Sequence, residues 1–93
     1  MNVIDPGHIY NLDNDNTLSF IKREAGQLIY PGTTNEEVLE VLIDRTEFLN
    51  LKMWCKENDE ALQYLKLALS AFHERTGKRI EQNVETLDIP HVS

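Results

Sequence analysis

Thr34-Asn35-Glu36-Glu37-Val38-Leu39-Glu40-Val41-Leu42-Ile43 decides how this chain is read. Thr34 followed three residues later by Glu37 is a capping box. The hydroxyl accepts from an early helical N–H, the carboxylate reaches back, and Glu36 and Glu37 suit the positive end of the helix dipole. Apolar residues recur at Val38, Leu39, Val41, Leu42, Ile43, Phe48, Leu49 and Met53, close to helical spacing. The stretch predicts a helix over 35–53, roughly 30 Å long at 1.5 Å per residue. A polar break, Cys55-Lys56-Glu57-Asn58, follows. Asn58 suits the N-cap of a second helix, with Asp59 and Glu60 in its first turn. Leu62, Leu65, Leu69 and Phe72 make its stripe, and Ala61, Ala68 and Ala71 permit close helix approach. Strong helix formers continue to Arg79 or Gln82, with Gly77 a mild weakness. A break of about four residues favours antiparallel neighbours.

Residues 34–83 are therefore expected to form a helical hairpin. Leu51, Trp54, Tyr64 and Leu67 fall off its main stripes, so each helix is apolar on more than one side. Either the N-terminal third covers that surface or other copies of the chain do. Self-association is the expectation, because a core of ~60 residues is marginal without it.

Residues 1–33 read as an irregular segment followed by a β-hairpin. Asp5-Pro6-Gly7 is a turn signal and Asn11–Asn16 is polar, so 1–16 carry no expected strand. Asp13, Asp15, Thr17 and Glu24 have some of the spacing of a calcium loop, but Leu18 stands where such a loop needs glycine. Thr17–Lys22 and Gln27–Tyr30 read as strands around an Ala25-Gly26 turn, with Lys22 pointing outward. Such a ribbon is unstable alone and is expected to dock on the hairpin. Pro31-Gly32 ends it. Residues 84–93 read as a tail with Val84, Leu87, Ile89 and Val92 available for packing. The expected fold class is α+β, mainly α: an N-terminal β-hairpin, then a long antiparallel helical hairpin, oligomeric and a single domain overall.

A net charge of −7 argues against a general binder of nucleic acid polymers, which needs a basic face. A small anion remains compatible, since a few local cations outweigh distant charge beyond a screening length of ~8 Å. The single Cys55 suits a reducing cytoplasm, and neither a leader nor a membrane span is indicated. His8, His73 and His91 have no ligand-spaced partners, and no nucleophile elbow or phosphate-cradling glycine loop appears. No catalytic activity, metal or cofactor is expected. What remains is a recognition set. Arg75 and Arg79, four apart on one helical face, can clamp phosphates, although a basic last turn also complements the helix dipole.

Pro31–Arg45, Cys55-Lys56-Glu57-Asn58, Ala68-Leu69, Glu74-Arg75-Thr76 and Arg79 resemble, in order and spacing, a family of small phage and prophage proteins. Its hairpin domain is shared by the anti-Thoeris sponge proteins and, more remotely, by the anti-CBASS cyclic-oligonucleotide sponges. The similarity covers about 30–86. It implies a homo-oligomer, often a hexamer, acting as a phage counter-defence protein in the cytoplasm of the infected bacterium. Such a protein binds a cyclic nucleotide immune second messenger, a cyclic ADP-ribose isomer or a cyclic oligonucleotide, and withholds it without cleaving it. The resemblance puts Phe48 where the sponges stack a base, Asn58 where they hydrogen-bond the nucleotide, and Arg75 and Arg79 where they hold phosphates. An aromatic face, an amide and two guanidiniums suit those tasks. Lys56 stands where the family usually has Arg, Ala71 where it usually has Trp, and Gly77 where a helix former is common.

Asn58 and Arg75 are seventeen residues apart, about 26 Å along one helix, too far for a mononucleotide-sized ring to bridge. If all four residues serve one ligand, the tip of one copy must lie beside the open end of another, in a two-fold pairing. The competing expectation is an oligomeric protein-interaction module that inhibits a host defence protein directly, through the apolar tail and Trp54.

Overall fold

The computed structural model describes the backbone of residues 1–88 and the side chains of residues 1–77. It is a mixed α+β chain, about half helical, with five antiparallel strands in two sheets followed by two helices. Two compact units divide it, Met1–Glu37 and Val38–Ser93.

The first unit begins with strands β1 (Asn2–Asp5), β2 (Ile9–Asn11) and β3 (Thr17–Ser19), an antiparallel meander. This corrects the expectation of an irregular 1–16. Strands of four and three residues are too short to carry a period-2 signal, and Asn and Asp are poor strand formers. The turn signals do hold. The His8 N–H donates to the Asp5 carbonyl at 2.9 Å across Pro6-Gly7, with Gly7 at φ 80°. Between β2 and β3, the Asp15 N–H donates to the Leu12 carbonyl and Asp15 takes φ 66°, tolerable for a short polar side chain. Leu18 is a strand residue paired with Tyr10, so the calcium-like spacing runs into the sheet.

The strand expected over 17–22 breaks in two. After β3 the chain crosses at Phe20-Ile21 and continues as β4 (Lys22–Glu24), which pairs with β5 (Gln27–Tyr30). Ala25 and Gly26, at φ 51° and 78°, make the expected two-residue turn, with left-handed conformations matching the twist of the strands. At the crossing, Phe20 and Thr33 form a parallel bridge: the Ile21 N–H donates to the Thr33 carbonyl at 3.0 Å, and the Thr33 N–H to the Ser19 carbonyl at 2.9 Å. Gly32 lies against this backbone so closely that a Cβ would sit 2.4 Å from the Phe20 carbonyl carbon. Only glycine fits there.

Helix α1 spans Asn35–Lys52 and helix α2 spans Lys56–Asp88. Thr34 caps α1 as expected, its hydroxyl accepting the Glu37 N–H at 3.2 Å, while the Glu37 carboxylate accepts from the hydroxyl of Thr33. The break is Met53–Cys55, shorter and earlier than expected. Asn58 is therefore not the N-cap. The Cys55 carbonyl accepts the Asp59 N–H at 3.4 Å, so the helix is already formed when the chain reaches Asn58, its third residue. At its far end α2 passes the expected limit and takes in 84–88; 89–93 lie outside the described residues. Asn50 meets Asp59 and Glu47 meets Lys66, a reversed order of contacts that runs the two helices antiparallel where they touch.

No described residue is fully buried. Leu39, Ile43, Thr46 and Asn50 on α1, and Leu62, Leu65, Leu69 and Phe72 on α2, recur at helical spacing and are half-buried. Val41, Leu42, Phe48 and Leu49, part of the apolar pattern that predicted α1, are exposed.

Candidate functional site

The four residues singled out from the sequence fall at different places on the helices. Phe48 lies one turn before the end of α1, its side chain 55% exposed. The Nζ of Lys52 stands 4.9 Å from the centroid of its ring. The i, i+4 spacing on α1 brings the pair together, but the same spacing offers Phe48 several other neighbours, so the sequence reading missed Lys52. Asn58 is half-buried in the first turn of α2. Arg75 is exposed farther along the same helix, its guanidinium 4.9 Å over the ring of Phe72. The side chains of Lys78 and Arg79 lie outside the described residues.

Because α2 is one uninterrupted helix, Asn58 and Arg75 are about 26 Å apart along its axis. Among the described residues the helices bring aromatic and cation together twice, as Phe48 with Lys52 and as Phe72 with Arg75, with a third such pair, Tyr30 with Lys22, on the strands; they do not bring Asn58 and Arg75 together. Each pair joins an apolar face to a positive charge, which is what an anionic aromatic ligand requires.

The connection between the helices is held by a constellation the sequence reading missed. The Asp59 carboxylate accepts from Asn50 Nδ2 and from Trp54 Nε1, both at 2.8 Å, and Asn50 Oδ1 accepts the Cys55 N–H at 3.1 Å. Asn50 thus spends both ends of its amide on the turn, and Trp54 is fixed although 65% exposed. An open groove of about 290 Å³ lies beside them, lined by Glu47, Asn50, Leu51, Trp54 and Leu62. No single residue type announces such a set; it exists only once the break has placed 50, 54 and 59 together.

In the first unit, Asp5 from β1 accepts from the hydroxyl of Tyr30 and from Lys22 Nζ, the latter at 2.9 Å. Lys22 is therefore half-buried rather than outward-pointing. Hydrogen bonds from Tyr30 and then Lys22 hold the Asp5 carboxyl below its ordinary pKa, while the bond to Asp5 raises Lys22. Desolvation, followed by the hydrogen bond to Asp5, raises Tyr30. With the Asp5 carboxylate matched by the Lys22 ammonium, this cluster ties the two small sheets together.

Among the described residues no three His, Cys, Asp or Glu gather as a metal site, and no helix is long and apolar enough to cross a membrane. Comparison with protein-family models, with curated proteins and with solved structures finds no match for the chain.

Proposed function

We propose that this protein is a non-catalytic sponge that binds a cyclic nucleotide immune second messenger, a cyclic ADP-ribose isomer or a cyclic oligonucleotide, and keeps it from its effector. It acts as a phage counter-defence protein in the infected bacterial cytoplasm, in the manner of the anti-Thoeris and anti-CBASS sponges its hairpin resembles. The observation that carries the reading is the Phe48 ring, exposed on an otherwise acidic chain with an ammonium group stacked against it. Phe48 stacks the base, Asn58 bonds its edge, and Arg75 and Arg79 hold phosphates.

Magnitudes require more than one copy. Capturing micromolar messenger stoichiometrically needs a Kd of about 10 nM, or about −11 kcal/mol. Stacking on one aromatic contributes about 1–3 kcal/mol, and a charge-assisted hydrogen bond a similar amount. Association itself costs about 4 kcal/mol or more. Phe48 and Arg75 of one chain, remote from each other on α1 and α2, fall short. Two copies paired head to foot, and a hexamer built of such pairs, put tip and open end around one ligand. The exposed Val41, Leu49, Tyr64 and Leu67 supply apolar surface for that assembly.

A second reading is favoured by one observation. Leu51 is 89% exposed and Met53 81%, beside the fixed Trp54, so the turn presents an apolar tip suited to a host protein. One experiment separates the two. The protein is incubated with candidate messengers and removed by filtration, and the retained material is heat-denatured and assayed. A sponge returns intact messenger, a hydrolase returns products, and an interaction module depletes nothing. Arg75→Ala should abolish capture; unchanged capture would reduce Arg75 to a helix-end cation.

A further inference from the structure

Lys52 differs from the other lysines whose side chains are described. Lys22 pairs with Asp5 and Glu24, Lys56 with Glu60, and Lys66 with Glu47. Among the described residues Lys52 has no carboxylate partner, although Asp and Glu number 16 in the chain. Its ammonium lies instead over the exposed ring of Phe48.

We infer that Lys52 is a further ligand-binding residue of the Phe48 platform, taking a phosphate of a ligand whose base stacks on the opposite face of the ring. The inference rests on the nucleotide-binding reading and adds to it an anion selector that the resemblance does not assign. An aromatic ring has two faces, and the ammonium occupies one, leaving the other for a base. An ammonium attracted to a ring quadrupole is attracted more strongly by a full negative charge, so an arriving phosphate draws it off the ring face into a charge-assisted hydrogen bond. The four-carbon stem of lysine permits that movement while the helix holds its Cα one turn from Phe48. A cation placed only to complement the helix dipole would have no need of the ring. The platform thereby selects phosphorylated ligands over neutral nucleosides.

The test is equilibrium binding of cyclic ADP-ribose, cyclic di-AMP and adenosine to the full chain, to Lys52→Gln and to Lys52→Arg, over a range of salt, with helix content followed by circular dichroism. For the cyclic nucleotide that binds, Lys52→Gln should lower affinity about ten-fold and weaken the salt dependence, while Lys52→Arg retains both. Adenosine binding, weak throughout, should not change between the variants. Wild-type affinity in Lys52→Gln would overturn the inference while leaving Phe48 and Arg75 in place. Equal losses in the Gln and Arg variants, or a fall in helix content, would make Lys52 structural and overturn it as well. If the full chain binds neither cyclic nucleotide, the sponge reading fails and takes the inference with it.

Discussion

The two units of this chain satisfy their side chains in opposite ways. In Met1–Glu37 the charged groups find one another: Asp5, Lys22 and Tyr30 close a network, and the turns place Gly7, Asp15 and Gly26 at left-handed backbone angles that suit them. From Val38 onward the polar contacts gather at the turn, while Val41, Phe48, Leu51, Trp54 and Leu67 are left exposed along the helices. The first unit is specified by contacts it makes with itself. The second is specified locally, by capping and helix propensity, and its exposed apolar residues run along two helices, whereas Val3, Ile4, Leu28 and Ile29 of the first unit sit on short strands.

The hardest way to break the first unit is Gly32→Ala. The new Cβ would meet Phe20 C at 2.4 Å, Ile21 N at 2.6 Å and Ser19 O at 2.6 Å. All three are backbone atoms of the crossing, so none can turn aside as a side chain would. A loss of about 3 kcal/mol or more is expected, read as collapse of amide protection over 2–33 in hydrogen exchange while the helices keep theirs. Intact protection in the variant would mean that the crossing is looser than its geometry.

The second unit should break by dilution instead. If copies cover its exposed faces, the midpoint of helix melting rises with protein concentration, as binding linkage requires. Val41→Glu with Leu67→Glu places like charges on those faces and should remove that dependence, costing several kcal/mol at micromolar concentration. Sedimentation velocity gives the independent check. A single small species at all concentrations, with a concentration-independent midpoint, would end the contrast between the units.

How legible each unit was follows from the same contrast. The helices announced themselves because a cap at Thr34 and a long 3.6-residue period are local signals, repeated many times over α1 and α2. The start of α2 was misread because Asn58 is a good cap in isolation. The actual start depends on Asn50, Trp54 and Asp59 meeting across the turn. Strands β1 and β2 were invisible because Val3 pairs with Tyr10, and Ile9 with Ser19, through register and not through any pattern within three or four residues. Of the candidate site, the sequence offered Arg75 and Arg79 as a cation pair four apart, and Phe48 and Asn58 only through the family resemblance. It did not disclose that Phe48 and Arg75 each carry their own aromatic–cation partnership, since a helix offers several neighbours at i+3 and i+4 and only one is taken.

Acid should sharpen the comparison next. The Asp5 carboxyl is held below its ordinary 3.8, so the folded first unit favours the ionised form. Its contribution is fully present above 3.8 and is lost as pH falls through the lowered value. The first unit should therefore lose protection below about pH 4. Asp5→Asn should be less stable at neutral pH and flat across that range. Lys22 and Tyr30 are raised, so their contributions hold through neutral pH and fade only in strong base. An acid slope that survives in Asp5→Asn would assign it to other carboxyls.

Asp59→Ala tests the one place where the second unit resembles the first. It removes the acceptor shared by half-buried Asn50 and exposed Trp54, where water can replace much of what is lost. The expected cost is only about 1 kcal/mol. The turn should nonetheless loosen, and because Trp54 is the only tryptophan its fluorescence anisotropy reports the change directly. Unchanged anisotropy would mean that packing, and not the carboxylate, fixes the indole.

Gly77→Ala carries the smallest effect and asks the most specific question. Among the described residues nothing comes within 4 Å of the place where its Cβ would go, and glycine inside a helix is less favourable than alanine by about 0.5–1 kcal/mol. In dilute solution, where a copy stands alone, the variant should be more stable by that amount. At high concentration two outcomes are physically distinct. If the gain persists, no second backbone comes near position 77 in the assembly. If the gain vanishes or reverses, the missing side chain is the means by which a neighbouring copy approaches α2 closely, beside the segment that carries Arg75 and Arg79. The sign of one small free energy, measured at two concentrations, thus reports whether the open end of the helices is an interface.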